Sequence, residues 1–147
     1  MGNMSKKTLW AQEGALKSYF PNSRILRDGE SSIIWIGEVT PSALSATYTL
    51  KVECNNNKTP KVYVLNPKPL ALAKGETDLP HVYSTIEQQL CLYYPKEKEW
   101  NPGMFYVHTL IPWACEWLCH YEIWVSTGTW HGGGIEHGPD SEKTETQ

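Results

Sequence analysis

From residue 44 to residue 54 apolar and polar side chains alternate without a break. Leu44, Ala46, Tyr48, Leu50, Val52 and Cys54 are separated by Ser45, Thr47, Thr49, Lys51 and Glu53. A period of two sends successive side chains to opposite faces, so this segment predicts a strand with one buried and one wet face, as in an antiparallel sheet. Such a strand needs neighbours, and the flanking sequence provides them. Residues 31–40 carry Ile33, Ile34, Trp35 and Ile36 between Asp28-Gly29 and Pro41, which predicts a well-buried strand. The polar run Asn55-Asn56-Asn57-Lys58 predicts a turn into a third strand over residues 60–64, and residues 23–27 form a fourth candidate.

The rest of the chain has helical and irregular signals. Trp10, Leu16, Tyr19 and Phe20 before Pro21 predict a short amphipathic helix with Ser5 and Thr8 as capping candidates, weakened by Gly14. Residues 66–80 contain Pro67, Pro69 and Pro80 without a period and predict an extended connection. Asn101-Pro102 supplies a cap followed by proline, so residues 104–110 are expected to be helical. Pro112 either kinks that helix or starts another. Trp113, Trp117, Tyr121 and Trp124 then share one helical face, and Gly128 closes the helix. Helix, antiparallel meander, extended segment and helix make an α+β layout. One domain is expected over residues 1–137, with a disordered polar tail over 138–147.

A net charge of −3 provides no basic field of the kind nucleic-acid binders carry, so no nucleic-acid partner is expected. Residues 1–7 are polar and lack the pattern of a secretion signal, and residues 104–125 are interrupted by His108, Pro112, Glu116 and Glu122. No membrane association is expected. The expected location is cytoplasmic, where the four cysteines would be thiols rather than disulfides.

Cys91 is the leading chemical candidate. It lies in Leu90-Cys91-Leu92, in irregular backbone ahead of Trp100-Asn101-Pro102, where a thiol can be presented as a nucleophile. The competing reading is a small apolar residue buried between two leucines. His81, ten residues earlier, is a candidate general base, and Lys96 and Lys98 are candidates for lowering the thiol's pKa. Cys115, Cys119 and His120, with His131 and His137, permit a small zinc-binding interaction module, although cysteines four apart on a helix also suit an ordinary core. Cys54 falls on the apolar side of its strand, an inert position. The Trp113/Trp117/Trp124 face is either core or, if further helices are missing, a surface for a homodimer or another partner. Gly132-Gly133-Gly134 reads as a linker.

The segment Thr59-Pro60-Lys61-Val62, then His81, Leu90-Cys91-Leu92 and Trp100-Asn101-Pro102, resembles the ubiquitin-conjugating enzymes. Their landmarks are a Pro-Pro-Lys-Val strand start, a His-Pro-Asn tripeptide, a nucleophilic Cys ten residues after that His, and Trp-Ser-Pro before a helix. The likeness spans roughly residues 9 to 125. This chain departs from the pattern in reading His81-Val82-Tyr83 where the family has His-Pro-Asn, in a longer segment from Lys61 to His81, and in lacking the last two family helices. These departures, with the tryptophan-rich run from Pro112 to Trp130, resemble the diverged bacterial branch whose short E2-like proteins accompany cyclic-oligonucleotide synthases in CBASS anti-phage operons.

The resemblance implies a ubiquitin-conjugating-like transferase. Cys91 would hold a protein C-terminus as a thioester, with a cyclic-oligonucleotide synthase as the carried protein and an amine or thiol on an acceptor protein as its destination. His81 would hold the loop. Tyr83, in place of the missing Asn, either donates its hydroxyl to a developing oxyanion or simply packs. No metal or organic cofactor is implied for this step. The alternative is a non-catalytic module that binds a ubiquitin-like or synthase tail.

Overall fold

The computed structural model describes residues 7–55, 58–93 and 99–132. Helix α1 (Leu9–Tyr19) is followed by strands β1 (Arg24–Asp28), β2 (Ser32–Val39), β3 (Tyr48–Asn55) and β4 (Lys58–Asn66). A small hairpin, β5 (Val82–Ser84) and β6 (Gln89–Leu90), precedes a 3-10 turn (Tyr106–His108) and helix α2 (Leu110–Thr127). The sheet order is β1-β2-β3-β4-β6-β5, and each recorded pairing is antiparallel. This is the expected α+β arrangement, with the four-stranded meander extended on one side by the hairpin.

Strand alternation builds one apolar sheet face. On β3, Tyr48, Leu50, Val52 and Cys54 are buried while the residues between them are half-exposed. Val52 lies opposite Trp35 on β2 and Val62 on β4. This face joins Leu16 of α1 and Leu110, Ala114 and Leu118 of α2 in one core, where burial of each large side chain contributes about 1.5–3 kcal/mol. Trp35 is fully buried because Gly37 leaves room for it: a Cβ at residue 37 would stand 2.3 Å from the indole.

The strand does not reach back to Leu44, which is 99% exposed, because residues 42–45 form a turn tied by the Ser42–Ser45 hydroxyl contact. That turn is anchored to α2 instead. Glu122 accepts hydrogen bonds from the Ser45 and Tyr48 hydroxyls, both at 2.7 Å.

Thr8 caps α1 by accepting the Ala11 amide, and Ser5 lies outside the described residues. The buried face is Leu9, Gln12 and Leu16, leaving Trp10 80% exposed. Gln12 holds its place because its side chain donates to the Met104 carbonyl and accepts the Tyr106 amide, both at 2.9 Å. A buried amide that completes two backbone partners stabilises the contact instead of opposing it.

The helix expected over residues 104–110 is reduced to the 3-10 turn. Asn101 accepts the Gly103 amide at 2.8 Å in a local turn that does not propagate. Pro112 falls in the first turn of α2, where a missing amide is harmless. Gly128 ends that helix at φ 80°, a left-handed conformation that favours glycine. Trp117, Tyr121 and Trp124 are buried, so the aromatic face belongs to the core of the same chain rather than to a homodimer surface; Trp113 is half-buried. The expected tail over 138–147 lies outside the described residues.

Candidate active site around Cys91

The nine residues between His81 and Cys91 form the β5-β6 hairpin. Val82 pairs with Leu90, so the residues just outside this pair meet, and the Cys91 amide donates to the His81 carbonyl at 3.1 Å. A spacing that leaves geometry open in the sequence is thereby closed by strand register. The same carbonyl accepts the Trp117 indole N–H at 3.1 Å, which ties the start of the hairpin to α2.

His81 is buried and has φ 53°, a left-handed conformation uncommon for a residue with a Cβ. Its ring packs against Trp130, with centroids 5.0 Å apart. The backbone of His81 thus meets Cys91, while its ring faces the aromatic layer at the end of α2.

Gln88, also at φ 57° and almost fully buried, anchors the other end of the hairpin. Its side chain donates to the Val64 and Pro67 carbonyls, both at 3.0 Å, and accepts the Leu70 amide at 2.7 Å. Strand β4, the proline-rich connection and the hairpin therefore share one buried amide. Sequence reasoning passed over Gln88. The available signal was its place two residues before Leu90 in a short strand-like segment; for Gln12 it was a polar residue at helical spacing between Leu9 and Leu16.

The Cys91 thiol is more enclosed than its sequence setting implies. Cys91 is 7% exposed, and its Sγ donates to the Tyr93 carbonyl at 3.5 Å. The Tyr83 hydroxyl is hydrogen-bonded to the same sulfur. Burial pushes the Cys91 pKa up; contact with the Tyr83 hydroxyl and a backbone contact from Tyr93 act the other way, and negative Glu99 adds to the rise. Burial and the neighbouring thiol likewise hold the Tyr83 phenol well above its ordinary range. Lys96 and Lys98 lie outside the described residues.

Tyr83 is 46% exposed and also lines a groove of about 180 Å³ with Pro60, Val62, Leu90, Leu92 and Tyr93. Leu90 and Leu92, on either side of Cys91 in the chain, line this groove, and Tyr83 links it to the sulfur through its hydroxyl contact. The site shelters a thiol and holds a hydroxyl donor on it.

The other cysteines are differently placed. Cys54 is buried on β3, and its pKa is pushed up to about 12, chiefly by burial. Cys115 and Cys119 lie one turn apart on α2 and are both half-buried; burial raises the pKa of each. Among the described residues no three or more His, Cys, Asp or Glu side chains are grouped to hold a metal ion. His137 lies outside those residues. Nor is any described helix long and apolar enough to cross a membrane.

Residues 12–138 match the family model of the type II CBASS E2 proteins, and the chain belongs to that family. No curated protein matches it.

Proposed function

We propose that, as a type II CBASS E2 protein, this chain carries the C-terminal acyl group of another protein on Cys91 and passes it to an amine or thiol acceptor. In the loading step the Cys91 thiolate adds to the carbonyl of an activated C-terminus or an existing thioester. The carbonyl's previous substituent leaves with the bonding pair, and the thiol proton goes to solvent. In the second step an acceptor amine attacks the new thioester, Cys91 leaves as thiolate with the bonding pair, the amine gives up a proton to solvent, and an amide remains. Any ATP-dependent activation of the carboxyl group would fall to a separate activating enzyme.

The observation that carries this reading is the Tyr83 hydroxyl on the Cys91 sulfur at the edge of a groove. A phenol that donates to the sulfur favours its ionised form against the opposing effect of burial. A hydroxyl that sits on the sulfur is also a candidate donor to the oxyanion that develops on the carbon the sulfur attacks. His81 holds the Cys91 backbone through its carbonyl.

In a CBASS setting the carried protein is proposed to be the cyclic-oligonucleotide synthase, joined through its C-terminus. The protein is purified with its synthase and examined on a non-reducing gel. A thiol-sensitive adduct that disappears in Cys91→Ala supports the reading, and an adduct that persists in that variant overturns it.

A second reading has its own support. The low exposure of Cys91 and its raised pKa suit a module that binds a chain end in the groove without chemistry. A complex with the synthase tail that forms equally well with Cys91→Ala and never becomes covalent would select it.

A further inference from the structure

Beyond Gly128 the chain doubles back along α2. The Gly128 amide donates to the Trp124 carbonyl at 2.7 Å, and the Thr129 amide to the Thr127 hydroxyl at 3.1 Å, which fixes the reversal. Trp130 then enters an aromatic layer, with its ring 5.0 Å from His81, 5.6 Å from Trp117 and 5.6 Å from His120. Gly132 runs so close to α2 that a Cβ there would stand 2.4 Å from the His120 ring. Residues 129–132 therefore form a strap in which Trp130 packs on His81, the residue whose carbonyl holds Cys91.

His81 requires such support. A residue with a Cβ at φ 53° keeps that conformation only when its surroundings fix it. Its carbonyl is held by the Cys91 amide and the Trp117 indole, and its ring by Trp130. Trp130 also touches Trp117, so it braces both the ring of His81 and the side chain that grips its carbonyl.

We infer that Trp130 is a positioning residue: the strap after α2 sets the His81 backbone and, through it, the place and accessibility of the Cys91 thiol. Its consequence for transfer rests on the thioester reading above, whereas its consequence for the thiol does not. Weakening the strap loosens the His81–Cys91 contact, exposing the sulfur to small reagents while degrading its alignment for a carried chain end.

The test measures iodoacetamide alkylation at Cys91, by peptide mass spectrometry, and adduct formation with the synthase, in wild type, Trp130→Ala and Trp130→Phe. Loss of the aromatic contacts is expected to speed Cys91 alkylation roughly three- to tenfold and slow adduct formation by a similar factor. Trp130→Phe, which retains a ring, should restore most of both. Far-ultraviolet circular dichroism checks the fold; if Trp130→Ala fails to fold, Gly132→Ala displaces the strap from His120 and should raise alkylation in the same direction. Unchanged alkylation in the folded strap variant overturns the inference, as does an effect that Trp130→Phe does not reverse. Alkylation that responds as expected while the wild type forms no adduct sustains the strap and counts against the thioester reading alone.

Discussion

Replacing Tyr83 by phenylalanine removes one atom from the candidate site and keeps the ring. That atom is the hydroxyl oxygen bonded to the Cys91 sulfur. A hydrogen bond to a charged group contributes about 1.5–3 kcal/mol. Because Tyr83 is 46% exposed, water competes for both partners and the lower end applies, close to 1.4 kcal/mol or about tenfold in an equilibrium. The thiolate fraction of Cys91 near neutral pH should therefore fall about tenfold in Tyr83→Phe. A more basic thiolate is also more nucleophilic, with a Brønsted slope of about 0.4–0.5, which returns roughly a factor of three. The expected alkylation rate at pH 7 to 8 is thus about three- to fourfold lower, whereas the plateau at high pH is about threefold higher. Iodoacetamide labelling followed across pH, with Cys91 read separately from Cys54, Cys115 and Cys119, measures both limbs. Crossing pH profiles are predicted. A profile that superimposes on wild type, or moves toward lower pH, refutes the role given to the hydroxyl.

Gln88→Leu leaves the Leu70 amide and the Pro67 carbonyl without the Gln88 side chain, and should destabilise the protein by about 3 kcal/mol, read as a lower urea midpoint; an unchanged midpoint would show that the hairpin needs no such anchor. Gly37→Ala drives a methyl group into the Trp35 ring and should cost about 1–3 kcal/mol with a change in tryptophan fluorescence, whereas wild-type stability and spectrum would contradict that packing. Cys54 has its folded pKa raised from 9.0 to about 12, so the folded form retains a proton that the unfolded form loses. Its stabilising contribution is complete below pH 9 and is lost as pH rises toward 12, at about 1.4 kcal/mol per unit. Urea titrations of Cys54→Ala should therefore show a shallower alkaline decline than wild type, and equal slopes would contradict the burial of this thiol.

The sheet was legible because period-two patterning is imposed by the strand itself. The alternation at Tyr48, Leu50, Val52 and Cys54 is the burial pattern of β3. It overran at Leu44 and Ala46 because alternation does not say where a turn begins; the Glu122 contacts that hold this turn come from 77 and 74 residues away in the chain. The 104–110 helix was overread because a local Asn-Pro cap signal does not guarantee the backbone bonds needed for propagation. The aromatic face of α2 was found, but whether Trp117 and Trp124 meet solvent or the core depends on the tertiary fold. At the site, Cys91, His81 and Tyr83 were legible as candidates, while their meeting depended on the β5-β6 register. The enclosure of the thiol and the Trp130 layer were not legible, since both depend on contacts made after the chain has folded back on itself.

Mass spectrometry of the Cys91→Lys variant produced together with its CBASS operon neighbours tests the central proposal most directly. A lysine amine at this position turns a transient thioester into a stable amide. The account predicts a branched peptide joining residue 91 to the last residue of the carried protein, absent from Cys91→Ala. Conjugation of the same protein at undiminished yield in Cys91→Ala, with no branch at residue 91 in Cys91→Lys, would contradict it.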